Sequence, residues 1–298
     1  MVRRGFEALG HTVRAFELDV RPVRFLKECQ TDALTIVMQG YGLAPQLIAQ
    51  GRRLTRHPWI LWHAEVMSPT WPTDDPVVQA KARQLAENAY AFDAIAHNCY
   101  TALETVKQIR GERGAGKPVI WAPANGVEAH YHRRLLGVTK RYAMGFYGYA
   151  SPRRVEIIEM LRREGIPITW RLPNEGCWGD GLIAFINQCH CILNLHFSQT
   201  PNTECRVYEA LGCGVPVLSE PLSMPNLLPF EGRGIEIANS PAQLLQAAQK
   251  IVWLAERDPA TLARYGNQVQ SWLHTHASYT QRCQFLLDQI AKHFPLPA

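Results

Sequence analysis

No apolar run in the 298 residues approaches the ~18 to 20 that a membrane-spanning helix needs, and the N-terminus carries no apolar signal-peptide core. A cytoplasmic protein is the resulting expectation. The eight cysteines (29, 99, 177, 189, 191, 205, 213 and 283) include no CxxC pair of the kind zinc or redox chemistry uses, so buried free thiols in a reducing compartment are expected. One local cluster exists, Cys189-His190-Cys191. Alternate residues of a strand share a face, which would put both thiols on one side, but no second ligand pair accompanies them. The net charge of +5 is spread over pairs such as Arg52-Arg53 and Arg153-Arg154, with no basic stripe interleaved with aromatics, and this argues against a nucleic-acid partner. A polar low-complexity tract is missing too. With 47% hydrophobic residues, 19% charged and eight tryptophans, the chain has the composition of a compact protein.

What is present is alternation, over a length that suits two domains of ordinary size. Val2 to Leu9 predicts a helix, with Gly10 to Val13 turning into a strand. Leu34 to Met38, Trp59 to His63, Ala94 to His97 and Val119 to Ala122 predict buried strands, separated by helices at Pro45 to Leu54, Val77 to Ala89 and Tyr100 to Arg110. The polar, basic stretch Arg133 to Arg141 has no clear period and marks a boundary between domains 1–139 and 140–298. Strands then recur at Tyr142 to Tyr147, Ile168 to Arg171, Ile192 to Leu195, Val215 to Leu218 and Ile235 to Ile237. Ser151-Pro152 reads as an N-cap followed by Pro at the first helical position. Ser240 to Gln243 reads as a capping box, Asp258-Pro259 as another helix start, and Ser278 to Phe294 as an amphipathic terminal helix. Asp74-Asp75 before Pro76 suits a helix cap better than a metal site, and Trp178-Gly179-Asp180 suits a cap beside the polar Asn174 and Glu175.

Chemistry concentrates between Cys191 and Glu220. A strand ends at Leu195, a loop follows, and Asn202 or Thr203 is placed to cap a helix over Glu204 to Leu211 that Gly212 and Gly214 end. The free amides and partial positive charge of such an N-terminus attract an anion, a diphosphate above all. Arg206 and Glu209, three apart, are neighbours on one edge of that helix. A guanidinium forks onto phosphate oxygens and a carboxylate accepts from vicinal hydroxyls. An ordinary helix ion pair explains the same spacing equally well.

Asn194-Leu195-His196 followed by Glu204-x-Arg206-x-x-Glu209-Ala210-Leu211-Gly212-x-Gly214-x-Pro216-Val217 resembles the donor-site signature of the group-1 glycosyltransferases. It is most similar to the branch of spore-maturation CgeB-type proteins. Phe146-Tyr147-Gly148-Tyr149 with Ser151-Pro152-Arg153-Arg154 resembles the glycine loop that opens the second domain there, and Ala122 to Val127 the segment that closes the first.

The resemblance implies an α/β GT-B fold: two Rossmann-like domains with parallel sheets facing across a cleft, the first lacking its opening strand. The last helix, about 278–294, would pack back on the first domain. It implies a metal-independent transferase, without cofactor, moving sugar from a UDP- or GDP-linked donor to a glycan, lipid or protein acceptor. Glu209 would hold the ribose, and Arg153 or Arg154 with the amides near Thr203 the diphosphate. Gly148, Ser151, Asn194, His196, Arg206 and Tyr208 complete the implied donor site. In the first domain Trp62-His63-Ala64-Glu65 resembles the segment whose histidine faces the donor sugar; His63 and then Glu65 are the expected catalytic residues, with Glu204 on the donor side. Two departures stand out: Pro201 occupies a position where many of the wider superfamily carry a glutamate, and Val2 to Leu9 reads as the end of the family's first helix, so that either the chain begins late or the opening strand and glycine loop are missing. They keep open a non-catalytic nucleotide-sugar-binding scaffold; a sugar-nucleotide epimerase on the same fold is a further alternative, for which no proton-transfer carboxylates are placed.

Overall fold

The computed structural model describes residues 1–16, 33–38, 43–223, 230 and 232–295. Cys29 lies outside them. Two compact units divide the chain: Met1–Asn125 with Tyr279–Ala298, and Gly126–Ser278.

In the first unit, α1 (Val2–Ala8) precedes a parallel sheet of β1 (Thr35–Met38), β2 (Trp59–His63), β3 (Ala94–His97) and β4 (Val119–Trp121), in that spatial order. The helices α2 (Pro45–Thr55), α3 (Pro76–Asn88) and α4 (Leu103–Arg110) connect them, the last after a short 3₁₀ turn, Tyr100–Ala102. Every residue of β2 and β3 is buried, as a sheet covered on both faces requires. The Asp75 side chain accepts from the amides of Val77 and Val78 and so starts α3. The C-terminal α10 (Tyr279–Ala291) belongs to this unit. Its Cys283, Leu286 and Ile290 share one core with Phe6 of α1, Trp62 of β2 and Ile120 of β4.

The strand expected at Gly10 to Val13 is not formed. Gly10 takes φ +89° and ends α1 in a Schellman motif, with Gly10 N–H donating to Glu7 O (3.0 Å) and His11 N–H to Phe6 O (3.2 Å). Those bonds turn the chain out of the helix, and residues 11–16 carry no strand.

The second unit is a five-stranded parallel sheet of β5 (Tyr142–Tyr147), β6 (Ile168–Arg171), β7 (Cys189–Asn194), β8 (Val217–Ser219) and β9 (Ile235–Ile237), in the order β6-β5-β7-β8-β9. The connecting helices are α5 (Pro152–Arg163), α6 (Gly179–Gln188), α7 (Cys205–Gly212), α8 (Pro241–Arg257) and α9 (Pro259–His276). Ser151 and Asp258 cap α5 and α9. Ser240 caps α8, but Gln243 returns to the amide of Asn239, so the reciprocal bond of a capping box is displaced by one residue. Trp178 occupies the N-cap of α6 without a side-chain bond.

One core of this unit packs Phe185, Ile192 and Val207, the other Met144, Leu193 and Leu218. Cys189 belongs to the first and Cys191 to the second, so the two thiols do not share a face. Each donates to a backbone carbonyl, Phe185 O and Ile192 O. Cys205 is exposed, unlike the other described cysteines. Among the described residues no helix is long and apolar enough to cross a membrane, and no three His, Cys, Asp or Glu side chains gather as metal ligands.

Candidate functional site

Strand order in the second unit reverses at β5, which is followed by β6 on one side while β7 pairs on the other. In open parallel sheets ligands bind at such a switch point, beyond the carboxyl ends of the strands. Those ends are Tyr147-Gly148 of β5 and Asn194 to His196 of β7, and a buried ionic network lies there.

Arg206 is its centre. Its Nε donates to Tyr147 O (2.9 Å), and its Nη1 to Asn194 Oδ1 (2.8 Å) and Glu204 Oε2 (2.8 Å), while its guanidinium lies 4.8 Å from the Phe146 ring centroid. The side chain thus ties both strand ends to α7. Its Nη2 makes no hydrogen bond among the described residues and lies over Gly148. A Cβ there would come within 2.8 Å of that nitrogen, and Gly148 takes φ +141°, so a glycine is required.

Arg154 projects from the first turn of α5. Its Nε and Nη2 donate to Leu195 O (3.1 and 2.9 Å), its Nη1 to Tyr149 O (3.3 Å), and its Nη2 approaches Glu204 Oε2 (3.4 Å). Burial, then the neighbouring Arg206 charge, pull its pKa down to about 10. Arg153 donates to His196 O (3.2 Å) and forks onto Glu220, whose Oε2 also accepts the His196 amide (2.8 Å).

Glu204 occupies the N-cap of α7, yet its carboxylate turns to the arginines and caps no amide. Burial pushes its pKa up, but the charges of Arg206 and then Arg154 outweigh burial and hold it down at about 2. His196 is buried, with Nε2 2.7 Å from Pro221 O, a contact that requires the proton on Nε2. Its Nδ1 faces Glu204 Oε1 at 3.6 Å and has no hydrogen-bond partner among the described residues. Around this point three guanidiniums meet the carboxylates of Glu204 and Glu220, with Glu209 one turn along α7, and Arg206 Nη2 keeps its protons without an acceptor among the described residues, beside a helix N-terminus that no described side chain caps. The arrangement suits an anion with several oxygens.

Glu209 lies one turn along α7 and does not pair with Arg206. Its Oε2 accepts from the Tyr147 hydroxyl (2.8 Å), and burial pushes its pKa up. Arg206 finds its carboxylate in Glu204, because the extended residue before the helix reaches back over the strand ends. Asn202 and Thr203 do not cap α7: the Thr203 amide and hydroxyl both meet Ser223 Oγ (3.1 and 3.2 Å). Ser151 serves as the cap of α5. Asn194 Nδ2 donates to Ser219 Oγ (2.9 Å), and Tyr208 is buried in the core.

Gly148, Arg153, Arg154, Asn194, His196, Glu204 and Arg206 therefore form one connected cluster, and Glu209 joins it through Tyr147. Tyr147 and Glu220 are absent from the sequence-derived set. The available signal for Tyr147 was a hydroxyl-bearing aromatic at the last position of a strand, directly before glycine.

His63 and Glu65 stand in the first unit. Register pairs His63 with His97 across β2 and β3, and their Nδ1 atoms are 3.1 Å apart. His97 Nδ1 also lies 3.2 Å from His63 O, so His97 carries the proton there and His63 Nδ1 accepts. Burial lowers both pKa values, His63 well below the usual histidine range and His97 to about 4, and both rings are neutral at pH 7. Glu65 forms an ion pair with Lys81 at 3.3 Å. Glu175 accepts from the Leu172 amide (2.9 Å) and closes a local turn.

The two parallel-sheet units give the chain the GT-B fold, and residues 153–288, which contain Arg153, Arg154, Asn194, His196, Glu204 and Arg206, match a family model described as glycosyl transferase-like. Solved structures with the same fold include Anabaena HepE in complex with UDP and glucose. It is 15% identical, with 91% of this chain and 81% of that chain covered and a TM-score of 0.63. The sucrose-phosphate synthase of Thermosynechococcus elongatus is 12% identical, with 91% and 76% covered and a TM-score of 0.61. An uncharacterised protein of Acanthamoeba polyphaga mimivirus is 28% identical over 128 residues, a match that takes in 39% of this chain and 14% of the viral protein's length.

Proposed function

We propose that the chain is a metal-independent glycosyltransferase that takes a sugar from a UDP- or GDP-linked donor, and that the β5/β7 switch point of the second unit holds the donor. The observation that carries this reading is the convergence of Arg154 and Arg206 on the ends of two strands, with Arg206 Nη2 unbonded among the described residues, beside the uncapped α7. A leaving nucleoside diphosphate gains negative charge in the transition state, and cations already fixed by backbone carbonyls stabilise it without reorganising. Glu209, with one oxygen held by Tyr147, offers the other to ribose hydroxyls. The UDP and glucose bound by HepE support the donor class.

In this reading the first unit takes the glycan, lipid or protein acceptor, neutral His63 serves the transfer, and Glu65 acts as acceptor base once its Lys81 pair opens. The CgeB-like resemblance and a cytoplasmic setting, where free thiols stay reduced, belong to the same proposal. The Lys81–Glu65 pair favours a second reading, a non-catalytic nucleotide-sugar-binding module, which measurable turnover of any donor would eliminate.

Calorimetric titration with UDP, GDP and UDP-glucose tests donor binding. One of them binds the wild type, and Glu209→Ala weakens that affinity by about tenfold, the effect of losing one hydrogen-bonded charge. No binding by any of the three, or an unchanged affinity in the variant, removes the reading.

A further inference from the structure

At the opposite, amino-terminal edge of the same sheet lies a cavity of about 300 Å³, at the small end of ligand pockets. Three of its lining residues are basic: Arg134, Lys140 just before β5, and His190 in β7. None is a carboxylate. Lys140 Nζ donates to Cys189 O at 2.5 Å, which leaves two of its three protons without an acceptor among the described residues. Arg134 uses Nη1 on Asn267 Oδ1 (2.7 Å) and forms no ion pair, and His190 has no hydrogen-bond partner among the described residues. Burial pulls the Lys140 pKa down to about 8, and burial and then the Lys140 charge lower that of His190, which is neutral at pH 7. The first turn of α9 contributes Pro259, Ala260 and Leu262, and Leu135 and Val138 add apolar wall. The nearby carboxylate of Asp258 is taken up in capping α9 through Thr261.

Two under-used cations, Lys140 and Arg134, and the neutral His190 imidazole face one apolar-walled recess with no carboxylate lining it, and together they describe a place for an oxyanion attached to a small apolar body. We propose that this cavity is a second ligand site, distinct from the β5/β7 cluster, which takes a small organic phosphate or carboxylate. Lys140 and Arg134 grip the oxyanion, His190 donates beside them, and Leu135, Val138 and Leu262 cover the apolar part. The site gives His190 a purpose that the Cys189-His190-Cys191 cluster did not reveal, since the two flanking thiols point into separate cores.

Calorimetric titration with phenyl phosphate and with benzoate tests the proposal and separates the two anion classes. At least one binds the wild type. Arg134→Met, a change at an exposed position, weakens that probe about tenfold, and Lys140→Met weakens it at least as much. Arg153→Met, at the other edge of the sheet, leaves the affinity unchanged. Far-UV circular dichroism and the unliganded melting temperature establish that each variant is folded. Failure of both probes to bind overturns the proposal, as does equal affinity in wild type and folded Arg134→Met, or a loss produced by Arg153→Met alone. None of these outcomes depends on whether a nucleotide binds at the other edge.

Discussion

Arg206 shows how much of a site can depend on the shape of one side chain. It spans two strand ends and the helix start by donating in three directions from a rigid plane, while stacking near Phe146. A lysine supplies the charge as a point and cannot fork. Arg206→Lys therefore leaves Tyr147 O or Asn194 Oδ1 without its donor and Glu204 without its closest cation. We expect the variant to be about 2 to 4 kcal/mol less stable in urea unfolding, as when a buried network loses a member, and to lose nucleotide affinity. An unchanged midpoint would contradict the central role assigned to this residue. Arg206 and Glu209 were legible as candidates from their types and spacing, but their partners were not. Helix periodicity says which residues share an edge; it does not say that Tyr147, 62 residues earlier, takes the Glu209 carboxylate. Nor does it say that an extended residue before the helix takes the guanidinium.

At the scale of elements, the site depends on how α7 is held. Its carboxyl end is gripped from α9, where Gln270 Nε2 (2.8 Å) and His274 Nε2 (3.0 Å) both meet Gly212 O. The close approach is made possible by Gly266 in α9, where a Cβ would come within 2.0 Å of Gly214 O, a backbone atom that cannot swing away. Gly266→Ala must push the two elements apart. The expected loss is about 1–3 kcal/mol or more, as for overpacking of a tight interface, even though alanine is the better helix former. A chemical denaturation midpoint equal to wild type would show that the elements separate freely. The caps at Asp75, Ser151 and Asp258 could be read from local sequence because their bonds close within three residues, and the strands because a short apolar run between turns marks them whatever their partner. The strand expected at Gly10 to Val13 failed for a local reason as well: a glycine after a helix serves a Schellman stop as readily as a turn into a strand.

Across the whole molecule, burial leaves titratable groups in both units whose effects on stability fall in successive pH windows. His97 and His63 in the first unit and His132 in the second are buried and neutral. Burial lowers His97 to about 4, and burial followed by the His274 charge lowers His132 to about 4, from 6.5. The unfolded chain therefore binds these protons first as the pH falls. Their neutral burial costs nothing above pH 6.5, and stability drains away between 6.5 and 4. Glu204 acts in the next window. Held at about 2 in the folded state against 4.5 ordinarily, it stays ionised while the unfolded chain takes up its proton, so its contribution is complete above 4.5 and disappears towards 2. Urea unfolding measured from pH 8 to 3 should show a plateau, a decline beginning near 6.5, and a steeper decline below 4.5. His132→Gln should flatten the first part of that decline and Glu204→Gln the second, each leaving the other's window in place. A wild-type profile flat down to pH 4.5 would mean that the buried histidines accept protons in the folded state, and that their burial is not what the packing around them indicates.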